Sequence, residues 1–221
     1  MKGYKFIHKD MKSENGNLKW KIGKWYQEED IEICERGLHA CQQPLESLGF
    51  IYGDRWFIVE AKGKIIKKDN KFVAEQMRLI KEIPVDKVVK PFALWCAKQS
   101  LKYFEKEFPN DKRPREAIQA AEDYLDGKID LKELDKKISA AWSAARSAAR
   151  SAESAESAAR SAESAWSAES AAQSARYVRS ARYVRSARSA AWSAARSARS
   201  AESARSAQNK KLKQLIKKAT K

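Results

Sequence analysis

The chain has 221 residues, a formal net charge of +16 and a sequence pI of about 9.7. Three cysteines are too few for a disulfide scaffold, and no window holds the roughly 18 apolar residues that a membrane helix needs. No signal-peptide core follows Met1, so we expect a cytoplasmic protein of one or two domains with no membrane partner. The basic excess is compatible with an anionic partner such as nucleic acid.

Residues 1–90 are predicted to form a small α+β head domain. Polar and glycine residues at 13–17 predict a turn. Pro44 suits the first turn of a short helix over 44–52. Apolar residues in alternation or in short runs predict strands at 4–7, 20–25, 31–34, 38–41 and 77–83, and a strand pair over 56–66.

Three short runs in the head carry a resemblance to a known family. They are Gly3-Tyr4-Lys5-Phe6, Gly23-Lys24-Trp25-Tyr26 and Cys34-Glu35-Arg36-Gly37-Leu38-His39-Ala40-Cys41. With these runs the chain resembles a small domain of unknown function that is common in bacteriophage and prophage proteins. The resemblance covers roughly residues 1–83, and it implies a phage or prophage context rather than a chemistry.

Residues 91–129 are predicted to form a helical connector. Apolar residues from Phe92 to Phe108 follow helical spacing and give an amphipathic face. Pro109 breaks this helix, and Pro114 opens a second helix that runs to Leu125.

Two residues mark the passage into the last predicted domain, 130–221. Gly127 is expected to end the second connector helix, and Asp130 to cap the next helix. The connector runs 92–97 and 108–118 resemble the putative immunity protein family, whose members likewise continue into alanine-rich repeats. The resemblance implies a repeat after the connector and names no toxin target.

The repeat runs from Ser139 to Gln208 in Ser-Ala-x and Ser-Ala-Ala-x units, without Gly or Pro, and a Lys-rich tail follows. Ala, Arg, Glu and Gln favour helix, and the spacing places the Ser, Ala and variable positions in three stripes. The mean step of about 3.35 residues is shorter than that of a straight α-helix, which indicates drift or supercoiling. Steps of three over 174–189 match a 3₁₀-helix, and several short folded-back helices are a further alternative.

The variable stripe changes charge along its length. Its first half contains Glu153, Glu156, Glu163 and Glu169, and its second half contains Arg176, Arg179, Arg182, Arg185 and Arg188. An antiparallel partner, either a folded-back half or a second copy, would bring the two halves together. Trp142 and Trp192 lie at similar distances along the sequence from Trp166, which suits that arrangement. The alternative is that these charges are a solvated helix face.

We therefore predict an α+β head followed by a long helical repeat that binds protein, either a second copy or another protein. The predicted interaction residues are Trp142, Trp166, Arg176, Tyr177, Arg179, Arg182, Tyr183, Arg185, Arg188 and Trp192. Arg interleaved with aromatic rings also suits phosphates and unstacked bases, so nucleic-acid binding through 176–199 is an alternative function.

The head offers few groups for chemistry. Cys34, His39 and Cys41 do not have a standard zinc spacing, and the simpler interpretation is buried thiols beside a hydrogen-bonded histidine. His39 on one strand and Glu60 on a later one resemble the nicotinamide-dinucleotide grip of ADP-ribosyltransferases, which makes an enzymatic head a second alternative. We predict no catalytic residue, no metal site and no cofactor, and a non-enzymatic role in interaction or assembly.

Overall fold

The structure is a computed structural model that describes residues 1–13, 18–50, 53–150 and 201–221. The chain forms two compact units. One unit joins Met1–Val88 with Asn209–Lys221, and the other contains Val89–Gln208. The C-terminal segment therefore belongs to the same unit as the head, while the division into three domains stays a prediction.

The first unit is built on an antiparallel sheet, and together with the helices it confirms the α+β class. Its strands are β1 (Lys2–Ile7), β2 (Tyr26–Gln27), β3 (Leu38–Cys41), β4 (Arg55–Lys68) and β5 (Lys71–Ile83). The strand order is β2-β5-β3-β1-β4, and β4 also pairs with β5. The four strands β1, β3, β5 and β4 therefore close into a ring, which leaves β1 with a neighbour on each side.

The long β4–β5 hairpin corrects one prediction. Residues 56–66 are not a strand pair but part of the single strand β4, whose register shifts between Lys62 and Ile65. Gly63 permits the shift because it has φ 76°, a value that other residues rarely adopt. The hairpin turns at Asp69, which has φ 51°. The strand predicted at 77–83 is the second half of β5.

Two further strands predicted in the head, at 20–25 and 31–34, are absent from the described structure. Trp20 is buried, but it enters the core from a loop, and its Nε1 donates to Oγ of Ser13 at 2.8 Å. The predicted strand 20–25 is wrong because Gly23 takes φ 82° and only Ile22 forms an isolated bridge. The predicted strand 31–34 is also wrong, because it is a turn in which Cys34 has φ 72°. Completely buried members of the core are Ile7, Phe57, Val59, Ala61, Phe72, Ala74, Met77 and Leu79.

Helix α1 (Pro44–Ser47) begins with proline as predicted but has only four residues. It contacts the sheet through Ser47, whose Oγ accepts a hydrogen bond from Nε1 of Trp56 in β4 at 3.0 Å. Most of the predicted turn at 13–17, and residues 51–52 of the predicted helix, lie outside the described residues.

The remaining described helices are α2 (Val85–Glu107), α3 (Arg113–Leu125), α4 (Leu131–Arg150) and α5 (Ala201–Ala219). The connector helices predicted at 92–108 and 114–125 are thus confirmed. Helix α3 ends in a Schellman motif, because N–H groups of Gly127 and Lys128 donate to carbonyls of Tyr124 and Asp123. Asp130 caps α4 by accepting from the Glu133 N–H at 2.9 Å, as predicted.

Helices α2, α3 and α4 share one apolar core in the second unit. Its buried members include Leu94, Ala97, Leu101, Ala117, Ile118, Ala121, Leu134, Ile138 and Ala141. Leu94 and Leu101 belong to the apolar face that the sequence predicts for the first connector helix. In the described part of the chain, no helix has the length and apolar character required to cross a membrane.

Candidate functional site

His39 is held by the backbone on both sides of its ring. Its Nδ1 lies 3.0 Å from the carbonyl oxygen of Gly37, and its Nε2 accepts a hydrogen bond from the Cys34 N–H at 2.9 Å. These partners fix a neutral ring with the proton on Nδ1, because a carbonyl can only accept and an amide can only donate. Burial lowers the pKa of His39, and the nearby charges of Lys5 and Lys71 lower it further. The ring therefore closes the turn before β3.

The two predicted thiol partners of His39 differ from each other. Cys34 is exposed, whereas Cys41 is buried and its pKa is raised to about 12 by burial. Within the described ranges, no three His, Cys, Asp or Glu side chains are placed to hold a metal ion. The simpler interpretation of this cluster is thus right for the hydrogen-bonded His39 and the buried Cys41, but it is wrong for Cys34, whose thiol is exposed.

The structure does not bring His39 and Glu60 together. Tyr4 of β1 pairs with Cys41 on one side and with Ile58 on the other. His39 lies two residues before Cys41 and Glu60 two residues after Ile58, so they are displaced in opposite directions along β1 and lie on the order of 15 Å apart. Glu60 instead forms an ion pair with Arg78 at 2.6 Å.

The first units of the repeat are described as part of α4, and they pack against their own unit. Ala141 and Ala144 are completely buried, Ala145 is nearly so, and Arg146 is exposed. Ala144 and Ala145 form a cluster with Phe104 of α2. Small residues let a second element approach a helix closely, so the alanine stripe acts here as a packing seam.

Trp142, the first predicted interaction residue, is half-buried against the core of this helical unit. The other nine lie outside the described residues, as does the possible 3₁₀ stretch at 174–189. They are Trp166, Arg176, Tyr177, Arg179, Arg182, Tyr183, Arg185, Arg188 and Trp192. The predicted protein and nucleic-acid surfaces along 176–199 stay predictions.

Sequence reasoning missed a cavity of about 570 Å³ in the head. Its walls come from β1, β3, the loops beside them, Ser47 of α1 and Lys71 of β5, and they include four aromatic residues. The aromatic residues are Tyr4, Phe6, Trp20 and Phe50. A cavity of this volume falls within the range of sites for small organic molecules.

Lys5 is the unusual residue of this cavity. On β1 it shares a strand face with Gly3 and Ile7, which is the face of the buried core. Its Nζ donates to the His39 carbonyl at 2.9 Å and lies 5.8 Å from the centre of the Trp20 ring. Burial lowers the pKa of Lys5 to about 8.

The charges around the cavity are of both signs. Besides Lys5, the cations are Lys71 and Arg36, and the acids are Glu28, Asp30 and Glu35. Arg36 is already paired with Asp30 and with Glu32. Among the residues that the structure describes, no carboxylate lies within ion-pair distance of the Lys5 ammonium. Lys5 therefore contributes a positive charge that these partners leave unneutralised.

Comparison with known proteins yields two family matches. Residues 1–91 match a family described as Domain of unknown function (DUF7666). Residues 80–214, more than half of the chain, match the family described as Imm-5 like putative immunity protein. The chain belongs to this second family, and both matches agree with the resemblances seen in the sequence. No curated protein and no solved structure matches the chain.

Proposed function

We propose that this chain is a non-enzymatic protein-binding protein in which the Ser/Ala repeat pairs with the repeat of a second copy. The observation that carries the proposal is the packing of the described repeat units. Ala141, Ala144 and Ala145 are buried in a helix seam, while Arg146 on the same helix is exposed. The same unit recurs to Gln208, so the sequence continues a seam that a partner helix can cover.

Charge complementarity supports a second copy as the partner. The acids from Glu153 to Glu169 precede the arginines from Arg176 to Arg188 in the same stripe. Two antiparallel copies would place each acidic half against a basic half, and both sets of pairs would form at once. Isolated surface pairs contribute little, but a row of them can select partner and orientation.

His39 and Glu60, the two residues of the enzymatic alternative, are each engaged elsewhere in the head. Both ring nitrogens of His39 have backbone partners, and Glu60 is paired with Arg78. Neither residue is positioned toward the other, so the pair gives no support to the enzymatic alternative. A phage or prophage origin stays a prediction from the head.

Light scattering coupled to size-exclusion chromatography tests the proposal on the full chain. We expect a molar mass of twice 25.1 kDa at high protein concentration. Because the pairing is electrostatic, raising the salt concentration should shift the equilibrium toward the monomer. A monomer at every concentration and salt would refute self-association.

Nucleic-acid binding is tested in the same preparation with labelled single-stranded and double-stranded DNA. Neutralisation of phosphates by several arginines would give an affinity that falls steeply with salt concentration. If the arginines pair with glutamates of a second copy, DNA should compete with dimer formation. Tight DNA binding by a chain that stays monomeric would favour the alternative function over the proposed one.

A further inference from the structure

We propose that the head cavity binds a small anion, a carboxylate or a phosphate that carries a planar ring, with its charge on Lys5. This site is separate from the repeat, so it does not depend on how the repeat binds protein. Three features of the described residues support it: the position of Lys5 in the sheet, the charges around it and the aromatic residues Trp20 and Phe50 of the same cavity.

The position of Lys5 is unusual for a lysine in a strand. β1 has a hydrogen-bonded neighbour on each side, and Lys5 stands between Gly3 and Ile7 on the core-facing side. β1 and β3 pair at one position, Tyr4 with Cys41. Beside that pair, the Lys5 ammonium donates to the carbonyl of His39. One of its three N–H groups is thereby used, and the cavity offers room for an acceptor at the others.

The electrostatic environment favours an anion at this end of the cavity. The titratable groups that act on Lys5 or on the thiol beside it are His39 and Cys41 on β3, Lys71 at the start of β5 and Glu46 of α1. Burial lowers the pKa of His39, and burial also keeps the Cys41 thiol protonated by raising its pKa to about 12. His39, Cys41 and Lys71 therefore supply no negative charge to Lys5, and in the described part of the chain the Glu46 carboxylate is not within ion-pair distance of it.

The acids of the cavity belong to the loop before β3. Asp30 is paired with Arg36, and Glu28 and Glu35 also line the cavity. None of these acids is within ion-pair distance of Lys5 in the described part of the chain. An anion that reached Lys5 would therefore form the first charge pair of this ammonium, in a site where burial strengthens such pairs.

The aromatic residues indicate what else the ligand carries. Trp20 lies beneath the Lys5 ammonium, and Phe50 lines the same cavity. Tyr4 and Phe6 also border the cavity, but they alternate with Lys5 along β1 and their rings pack on Trp56. A flat ring can stack on side chains such as Trp20 and Phe50, which an inorganic ion cannot do. The volume of about 570 Å³ accommodates a ring system together with an acidic group.

Calorimetry on the full chain tests the site with matched pairs of probes. The anions are AMP and benzoate, their uncharged counterparts are adenosine and benzamide, and inorganic phosphate is the anion without a ring. We expect at least one ring-bearing anion to bind, and more tightly than its uncharged counterpart and than inorganic phosphate. Lys5→Met should weaken that binding about tenfold or more, because a charged hydrogen bond is lost. Lys2→Met, on the exposed end of the same strand, should leave it unchanged.

A second measurement follows Lys5 directly in the wild-type protein. Reductive methylation with ¹³C-formaldehyde labels lysines for NMR, and Lys5→Arg identifies the Lys5 signal. The pKa of about 8 should rise when the anion binds, since the anion stabilises the charged ammonium. Affinity should accordingly fall as the pH is raised above about 8.

Each outcome decides the proposal. Equal affinity for the anion and its uncharged counterpart would overturn it, as would unchanged binding to a folded Lys5→Met variant. If inorganic phosphate bound as tightly as AMP, the ring would contribute nothing to the affinity, and a ring-bearing ligand would be ruled out. If Lys5→Met does not fold, the NMR titration decides, and a Lys5 signal that none of the anions moves at millimolar concentration would overturn the proposal.

Discussion

The backbone N–H of Leu45 donates a hydrogen bond to Oδ1 of Asn209 at 3.0 Å, across 164 residues of sequence. Leu45 lies in the first turn of α1, where backbone N–H groups have no partner within the helix. Gln43, the residue before that helix, makes no capping bond with its side chain. Asn209 supplies the cap from the far end of the chain, so the C-terminal segment completes the head.

Asn209→Ala should therefore destabilise the head unit. Removing Oδ1 leaves a partly buried N–H without an acceptor, which costs about 1–2 kcal/mol of unfolding free energy. Urea denaturation followed by tryptophan fluorescence measures the change, because Trp20 and Trp56 are buried in the head. Lys210→Ala, at an exposed neighbouring position, is the control. Equal stability of the two variants would mean that the cap has no energetic role.

The stability of the head should depend on the protonation of His39. Burial lowers its pKa in the folded protein, so below about pH 6.5 the unfolded chain takes up a proton that the folded chain does not. The resulting contribution to stability is present above that pH and is lost as the pH falls. We expect wild type to lose more stability than His39→Gln on acidification. Denaturant titrations of both proteins at a pH above and a pH below about 6.5 measure these losses. Equal losses of unfolding free energy for wild type and His39→Gln would contradict this assignment.

The three cysteines should differ sharply in reactivity. Cys34 is exposed, while Cys41 and Cys96 are buried and burial raises the pKa of both thiols. Thiolate is the reactive form, so iodoacetamide should modify Cys34 first in the native protein. Peptide mass spectrometry identifies the modified positions, and the denatured chain should show three modified cysteines. Rapid native modification of Cys41 would contradict the packing around β3.

The alanine seam of the repeat should tolerate no enlargement where it is described. Ala144 is completely buried in a cluster with Phe104, so Ala144→Leu should overpack the helical unit and cost about 1–3 kcal/mol of unfolding free energy. Arg146→Leu, two residues along and exposed, adds a leucine without overpacking. Thermal unfolding followed by circular dichroism compares the two. A smaller loss for Ala144→Leu than for Arg146→Leu would refute the seam.

Local signals in the sequence predicted the helical elements well. Pro114, Gly127 and Asp130 act on the backbone within a few residues of their own position, so the helix boundaries they set could be predicted without the fold. The family resemblances on both sides of residue 90 could also be recognised from short runs, and the family matches confirm them.

The sheet was harder to predict because its elements depend on distant partners. Trp20 to Trp25 alternates like a strand, but Gly23 turns the chain and Trp20 is drawn into the core by tertiary packing. The contact of Asn209 with Leu45 leaves no local signal at all. Lys5 falls within the predicted strand 4–7, and only the closure of the sheet shows that its side of the strand faces the core. The sequence did contain one indication, because alternate residues of a strand share a face and Lys5 alternates in this way with Gly3 and Ile7.

Pairing of the repeat between two copies is tested most directly by two charge-reversed chains. One carries Arg179→Glu and Arg182→Glu, and the other carries Glu153→Arg and Glu156→Arg. Antiparallel pairing predicts that each variant alone is monomeric in sedimentation equilibrium, because like charges then face each other. An equimolar mixture should form a heterodimer, since opposite charges are restored between the two chains. Monomeric wild type, or a mixture that stays monomeric while wild type dimerises, would contradict pairing between copies.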